Sequence, residues 1–178
     1  MVEEVLFDYD AAYGPKSVCL RYFNAAGADP EGQLGECHEP ETHLTPLLLQ
    51  AASGRRHHIS VCGRDYNTPD STCIRDYVHI ADLCQAHWLA LQSLMNAGPS
   101  QAYNLGHGNG FSVQEVIDTA EAVTGRNIAL VNAPRREGDP ARLVADATLA
   151  RKQLGWQPQY ADLAIIIEHA WKWETRSV

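Results

Sequence analysis

Arg135, Arg136 and Arg142 stand within APRREGDPARLVADA, residues 133–147, of a chain whose formal net charge is -8. Local positive charge against the global balance calls for a local anion. A guanidinium is planar, stays charged at any relevant pH and meets phosphate oxygens with two donors at once, so two or more of them suit a diphosphate. A solvated basic loop would have the same composition. A second polar cluster lies in DYNTPDSTCIRDYVHIADL, residues 65–83, where Arg75, Asp76 and His79 alternate with Ile74, Tyr77 and Ile80. Charged groups inside an apolar strand are paired or face a ligand, because unpaired burial is too costly. Asp76 beside Arg75 can be a structural ion pair, and His79 is a satisfied structural histidine rather than a base. The segment CHEPETH offers Cys37, His38, Glu39, Glu41 and His43, which raises the question of a metal site. Its His and Cys have no recognised finger spacing and Pro40 interrupts any helix that would align them, so the reading is an acidic loop leading into a helix, with no metal.

These groups need elements to hold them. Residues 1–13 have helical spacing, with Val2, Val5, Leu6 and Tyr9 on one face and Gly14-Pro15 as the stop. A strand over Ser17–Phe23 follows, ending in Asn24 and a loop punctuated by Gly27, Pro30 and Gly32. The pattern then predicts a helix over Leu44–Ser53, a strand over His58–Cys62, and an extended piece through TCIRDYVH running into a helix with Leu83, Ala86, Ala90 and Leu94 at helical spacing. QAYNL, residues 101–105, is a buried strand before the turn GHGNG; Ser112 and Glu115 form a capping box opening a helix that Gly125 closes. A strand over Ile128–Asn132 and helices over Leu149–Leu154 and Leu163–Trp173 complete the chain. Helices and strands alternate, which makes this an α/β protein. No strand is followed by G-x-G-x-x-G, and GHGNG lacks that spacing, so it is a tight turn before a capped helix rather than a cradle for a dinucleotide pyrophosphate.

At 178 residues and 45% hydrophobic, the chain supports one ordinary core or part of a larger unit. Its acidity and 8% aromatic content disfavour a nucleic-acid partner, and no apolar run approaches a membrane span. The five scattered cysteines fit reduced thiols, and Glu3 and Glu4 are wrong for a secretory leader, so a cytoplasmic location is expected.

LRYFNAAGADPEG, GEC-HEPETHLTP, DYNTPDSTCIRDYVH, YNLGHGNGFSV and APRREGDP, in that order, resemble the UDP-glucose 4-epimerase family of the extended short-chain dehydrogenase superfamily. The combination of T-x-x-RDYVH with APRREGDP is the most specific part. The resemblance implies the C-terminal portion of a Rossmann-type NAD-binding fold, mainly its small substrate lobe. Residues 1–27 would be the tail of the nucleotide-binding lobe and residues 28–178 mainly the nucleotide-sugar lobe, with about 76–105 returning to the former. Met1 would be an internal methionine just beyond the family's Tyr-x-x-x-Lys pair. No catalytic residue is then expected here, and the isolated chain should be silent and not retain NAD.

Residue by residue, the resemblance implies that Asn24 contacts the nucleotide-sugar phosphates and that Tyr22 and Phe23 lie beside the nicotinamide. Arg75 and Arg136 would hold the diphosphate, and Asp139 the ribose, with Tyr77 in the same wall. His43, Leu44, Ser60 and Cys62 would surround the uracil. Cys62 stands where many relatives have a stacking Phe, which implies weaker uridine binding. Leu143 stands where some have a Tyr that narrows the sugar pocket, which implies room for N-acetylated sugars. The implied partners are UDP-glucose, UDP-galactose and, in the intact enzyme, a second copy. A sister UDP-pentose 4-epimerase and a non-catalytic UDP-sugar-binding module are the alternatives.

Overall fold

The computed structural model describes residues 1–176. Helix α1 spans Val2–Tyr13 and stops at Gly14, whose φ of 88° lets its amide close the last turn on Asp10. Its apolar side chains do not form a buried face: no residue of α1 is buried, because nothing among the described residues packs across Val2, Val5 or Tyr9. The strand expected over Ser17–Phe23 is two strands, β1 (Val18–Arg21) and β2 (Asn24–Ala26). Each joins a different partner in parallel: β1 pairs with β6 (Gln101–Asn104), and β2 with β5 (Tyr77–His79). Tyr22 and Phe23 therefore sit at a switch between ladders, where no single strand can continue.

Helix α2 spans Leu44–Ala52 and packs on β3 (Ile59–Cys62), which runs parallel to β8 (Leu130–Ala133). Helix α3 (Ile80–Met95) follows β5 directly. The capping box at Ser112 and Glu115 is formed and opens α4 (Val113–Thr124), with Gly125 left-handed behind it. Two short strands were not foreseen: β7 (Phe111–Ser112) and β9 (Arg142–Leu143) flank β4 (Ile74–Arg75), the former antiparallel and the latter parallel. Two residues are too few to show a period in sequence. Helices α5 (Thr148–Gln153) and α6 (Leu163–Glu174) close the fold.

Two apolar clusters result. One gathers Leu48, Leu49, Val61, Val116, Ile117, Ile166 and Ile167 between α2, α4, α6 and β3. The other gathers Val78, Leu83, Tyr103, Leu105 and Trp156 around β6 and α3. The second draws on residues 78–105 and adds Ala147, Ala150, Leu154 and Trp156 from the α5 region. Trp156 is fully buried and its indole N–H donates to the carbonyl of Asp82 at 2.9 Å.

Candidate nucleotide-sugar site

The β7–β4–β9 sheet is small, but it fixes a largely buried cation. Arg75 ends β4 opposite Leu143, with a side chain only 12% exposed. One amino group of its guanidinium pairs with the Asp139 carboxylate, and the other donates to the carbonyl of Ile74 at 2.7 Å. Five donors minus these two leave most of the fork for a ligand. Asp139 in turn accepts from the Tyr66 hydroxyl at 3.4 Å, and its amide closes a turn on the carbonyl of Arg136 at 3.3 Å. Burial, followed by the neighbouring Asp139 charge, pushes the Tyr66 phenol up.

The expected Arg75–Asp76 ion pair is not formed. Asp76 is 1% exposed, and its carboxylate accepts from the backbone amides of His107 at 3.1 Å, Gly108 at 3.3 Å and Ala145 at 3.2 Å. Adjacent residues of a strand point to opposite faces, so Asp76 turns into the GHGNG side while Arg75 turns to Asp139. A side chain at Gly106 would collide with that carboxylate and with Ala145, which explains the glycine. The same contacts bear on whether GHGNG suits a pyrophosphate: the amides of His107 and Gly108 are already held by a buried carboxylate, whose charge disfavours a second anion there.

The three arginines of residues 133–147 are separated. Arg135 donates to the Asp65 carboxylate at 2.6 Å and lies over the Tyr66 ring, 4.1 Å from its centroid. Arg142 donates to the carbonyl of Asn109 at 2.7 Å. Arg136 is exposed, and among the described residues its guanidinium has no hydrogen-bond or ion-pair partner. One free cation thus sits on the turn whose other end, Asp139, holds Arg75.

Asn24 joins the same group: it opens β2 opposite Tyr77, and its side-chain amide donates to the carbonyl of Asp76 at 2.9 Å. Leu143 accepts the amide of Asp76 on its carbonyl at 3.2 Å. Tyr77, expected in the same wall, is buried. It is 3% exposed within the first core, and burial drives its phenol far above the ordinary range, so it supports the wall from behind. In β3, Ile59 and Val61 face inward while Ser60 is exposed and Cys62 half-buried. Cys62 leads through Gly63 to Asp65 and Tyr66, which ties it to the arginines. Leu44 starts α2 and packs on the first core; His43 before it is exposed, its ring nitrogen 3.0 Å from Glu41. Tyr22 and Phe23 are 40% and 45% exposed, the Tyr22 ring edge-on to His87 at 6.2 Å.

A cleft of about 600 Å³ was not read from the sequence. Ala25, Ala26, Gly27 and Ala28 form part of its lining, and Leu34, Glu36, His43 and Cys84 complete much of the rest. The run of small residues in NAAGA was its only sequence signal. Gly27 is required there: its φ is 84°, and a Cβ would stand 2.7 Å from the His79 ring. His79 is fully buried, with Nδ1 accepting from the amide of Ala81 and Nε2 lying 3.0 Å from His169 Nδ1, a structural histidine as expected.

Residues 1–106 match the NAD dependent epimerase/dehydratase family. A UDP-glucose 4-epimerase of Halalkalibacterium halodurans is 51% identical over 172 residues, which cover 97% of this chain and 52% of that protein. The crystal structure of UDP-glucose 4-epimerase from Brucella ovis, in complex with NAD, superposes with a TM-score of 0.92 at 50% identity, covering 95% of this chain and 52% of the other. The Bifidobacterium longum UDP-glucose 4-epimerase, in complex with NAD+ and UDP, gives 0.90 at 38% identity over 97% and 52%. The chain spans about half the length of the curated relatives it matches. Its architecture is α/β and Rossmann-type, as these structures share.

Proposed function

The chain belongs to the NAD dependent epimerase/dehydratase family, and from that premise we propose that it carries nucleotide-sugar contacts of a UDP-glucose 4-epimerase. Residues 28–178 would form mainly the sugar-nucleotide lobe, and residues 1–27 with about 76–105 the edge of the nucleotide-binding lobe. The observation that carries this reading is the pairing of a preformed and a free cation: Arg75 is held at the end of β4 by Asp139, and Arg136 stands unpartnered on the turn that Asp139 closes. Two guanidiniums, one on β4 and one on the turn linked to it through Asp139, suit the two phosphates of a nucleotide diphosphate. Asn24 lies one residue from Arg75 through its bond to the Asp76 carbonyl.

Asp139 fits the ribose, since it keeps a carboxylate oxygen beside Tyr66; Leu143 borders the sugar, and Leu44, Ser60 and Cys62 the uracil. With a half-buried thiol where a ring would stack, uridine is held less firmly. The exposed Tyr22 and Phe23 would flank the nicotinamide of an NAD whose pyrophosphate is cradled elsewhere, because Asp76 holds the His107 and Gly108 amides of GHGNG. NAD supplies the hydride acceptor in that chemistry. This chain's own work is to fix the UDP end, which does not react, and leave the sugar free to turn. By itself it binds and does not catalyse.

Calorimetric titration of the chain with UDP tests this. Binding should weaken about 10- to 100-fold in Arg136→Ala, the loss of one or two charge-assisted hydrogen bonds. Unchanged affinity in that variant would overturn the assignment of the arginines. Epimerisation of UDP-galactose by the chain alone would overturn its silence.

A further inference from the structure

The loop between β2 and α2 has no helix or strand of its own, yet it is firmly attached. Lys172 donates to the carbonyl of Pro30 at 2.9 Å, Trp173 to that of Glu36 at 2.9 Å and Arg176 to that of Gln33 at 3.1 Å, all from α6 and the residues just after it. Gly35 lies flat against the Trp173 ring, where a Cβ has no room. On this anchored backbone Glu36, His38, Glu41 and His43 converge at the surface, with one ligand atom from each lying within 4.8 Å of all the others.

We infer that these four side chains form a binding site for one divalent transition ion of the zinc class. Bonds of about 2.0–2.1 Å from a tetrahedral ion place neighbouring ligand atoms about 3.3 Å apart. Here His43 Nδ1 is 3.3 Å from Glu36 and 3.0 Å from Glu41, and His38 Nδ1 is 3.9 Å from Glu41. Two imidazoles and two carboxylates suit such an ion. The carboxylates bring two formal negative charges together in a chain already at -8, which a dication cancels. The Glu41 oxygen is aimed by the amides of Thr42 at 2.6 Å and His43 at 2.7 Å, an outer set of hydrogen bonds that orients a ligand. Cys37 and Glu39, which the sequence offered beside them, are outside the set; Glu36, which the sequence reading left out, is inside.

The ion would tie the loop to the start of α2. Glu36 and His43 also line the 600 Å³ cleft, so it would stiffen one wall of that cleft. The uracil contacts proposed above then fall to Leu44, Ser60 and Cys62 rather than to the His43 ring. None of this depends on the nucleotide assignment.

Equilibrium dialysis of the full chain against micromolar Zn2+, followed by metal analysis, should give one ion per chain. His38→Ala changes an exposed side chain assigned no part in nucleotide binding. It should lower the affinity at least about tenfold while leaving UDP titration unchanged. Cys37→Ser should bind as the parent does. Co2+ in place of Zn2+ should show the visible bands of tetrahedral cobalt without sulfur-to-cobalt charge transfer. No uptake by the parent chain, equal uptake by His38→Ala, or a sulfur charge-transfer band would each overturn the site.

Discussion

Replacing Asp76 should be among the most damaging single changes in this chain, for a reason other than the ion pair its place beside Arg75 suggests. Its carboxylate satisfies three backbone amides, of which that of Ala145 is wholly buried and those of His107 and Gly108 partly so. In Asp76→Ala the buried amide loses its partner at a cost of about 1–3 kcal/mol, and the two others lose charge-assisted bonds worth about 1 kcal/mol or more each. The sum, about 3–5 kcal/mol, is a large share of the roughly 5–15 kcal/mol that holds a domain together. Asp76→Asn keeps one acceptor oxygen but presents an amino group to an amide, and should cost about 1–3 kcal/mol. Urea unfolding followed by the fluorescence of tryptophan, including the fully buried Trp156, measures both. Arg75→Gln made in the Asp76→Ala background separates the two accounts of the carboxylate. Were Asp76 the counter-ion of Arg75, removing the arginine would recover much of the loss; with Arg75 paired to Asp139 instead, removing it recovers nothing. Recovery, or an Asp76→Ala cost below about 1 kcal/mol, refutes the amide cradle.

Gly27→Ala should cost at least about 1–3 kcal/mol more than Gly14→Ala. Both glycines have φ above 80°, but only at Gly27 does the new methyl meet a ring, that of His79 at 2.7 Å. Equal losses in urea would mean that backbone strain alone explains the glycine. Burial, and next the adjoining His169, push the His79 imidazole from its ordinary 6.5 down to about 4, with His107 acting in the same direction and Asp82 against it. Between those values the unfolded chain binds the proton and the folded chain does not. The contribution is therefore complete above about pH 6.5 and lost as pH falls toward 4, on the order of 3 kcal/mol in all. His79→Gln should flatten the slope of stability over that range, and an unchanged slope would show that other groups carry it.

Helices were legible because their signals are local. The apolar period and the Ser112–Glu115 box act within a few residues, and the structure forms both where the sequence places them. The break at Tyr22 and Phe23 was not legible, since SVCLRYF has an uninterrupted strand composition and only the separate partners of β1 and β2 divide it. The same holds for the arginines. Their spacing in sequence put Arg135, Arg136 and Arg142 together, whereas Asp65, Tyr66 and Asn109, distant in sequence, decide which of them is free. Glu36 was passed over beside CHEPETH for a related reason: a loop pinned by Trp173 does not obey helical or strand spacing.

The two glycine-rich and arginine-rich stretches divide the handling of negative charge between backbone and side chain. In GHGNG the backbone amides hold the chain's own carboxylate, a permanent and buried contact that stabilises the turn. Around APRREGDP the side chains carry the charge: Asp139 braces Arg75 of β4, Asp65 takes Arg135, and Arg136 is left open. Amides that bind an internal anion cannot bind a phosphate as well, so in the proposed assignment phosphate recognition falls to Arg75 and Arg136. Side-chain cations at a partly exposed rim are screened by salt far more than buried amides are. UDP affinity should therefore fall steeply with ionic strength while the unfolding midpoint, governed by contacts such as that of Asp76, hardly moves. A parallel loss of both would place the arginines in the fold rather than in the site.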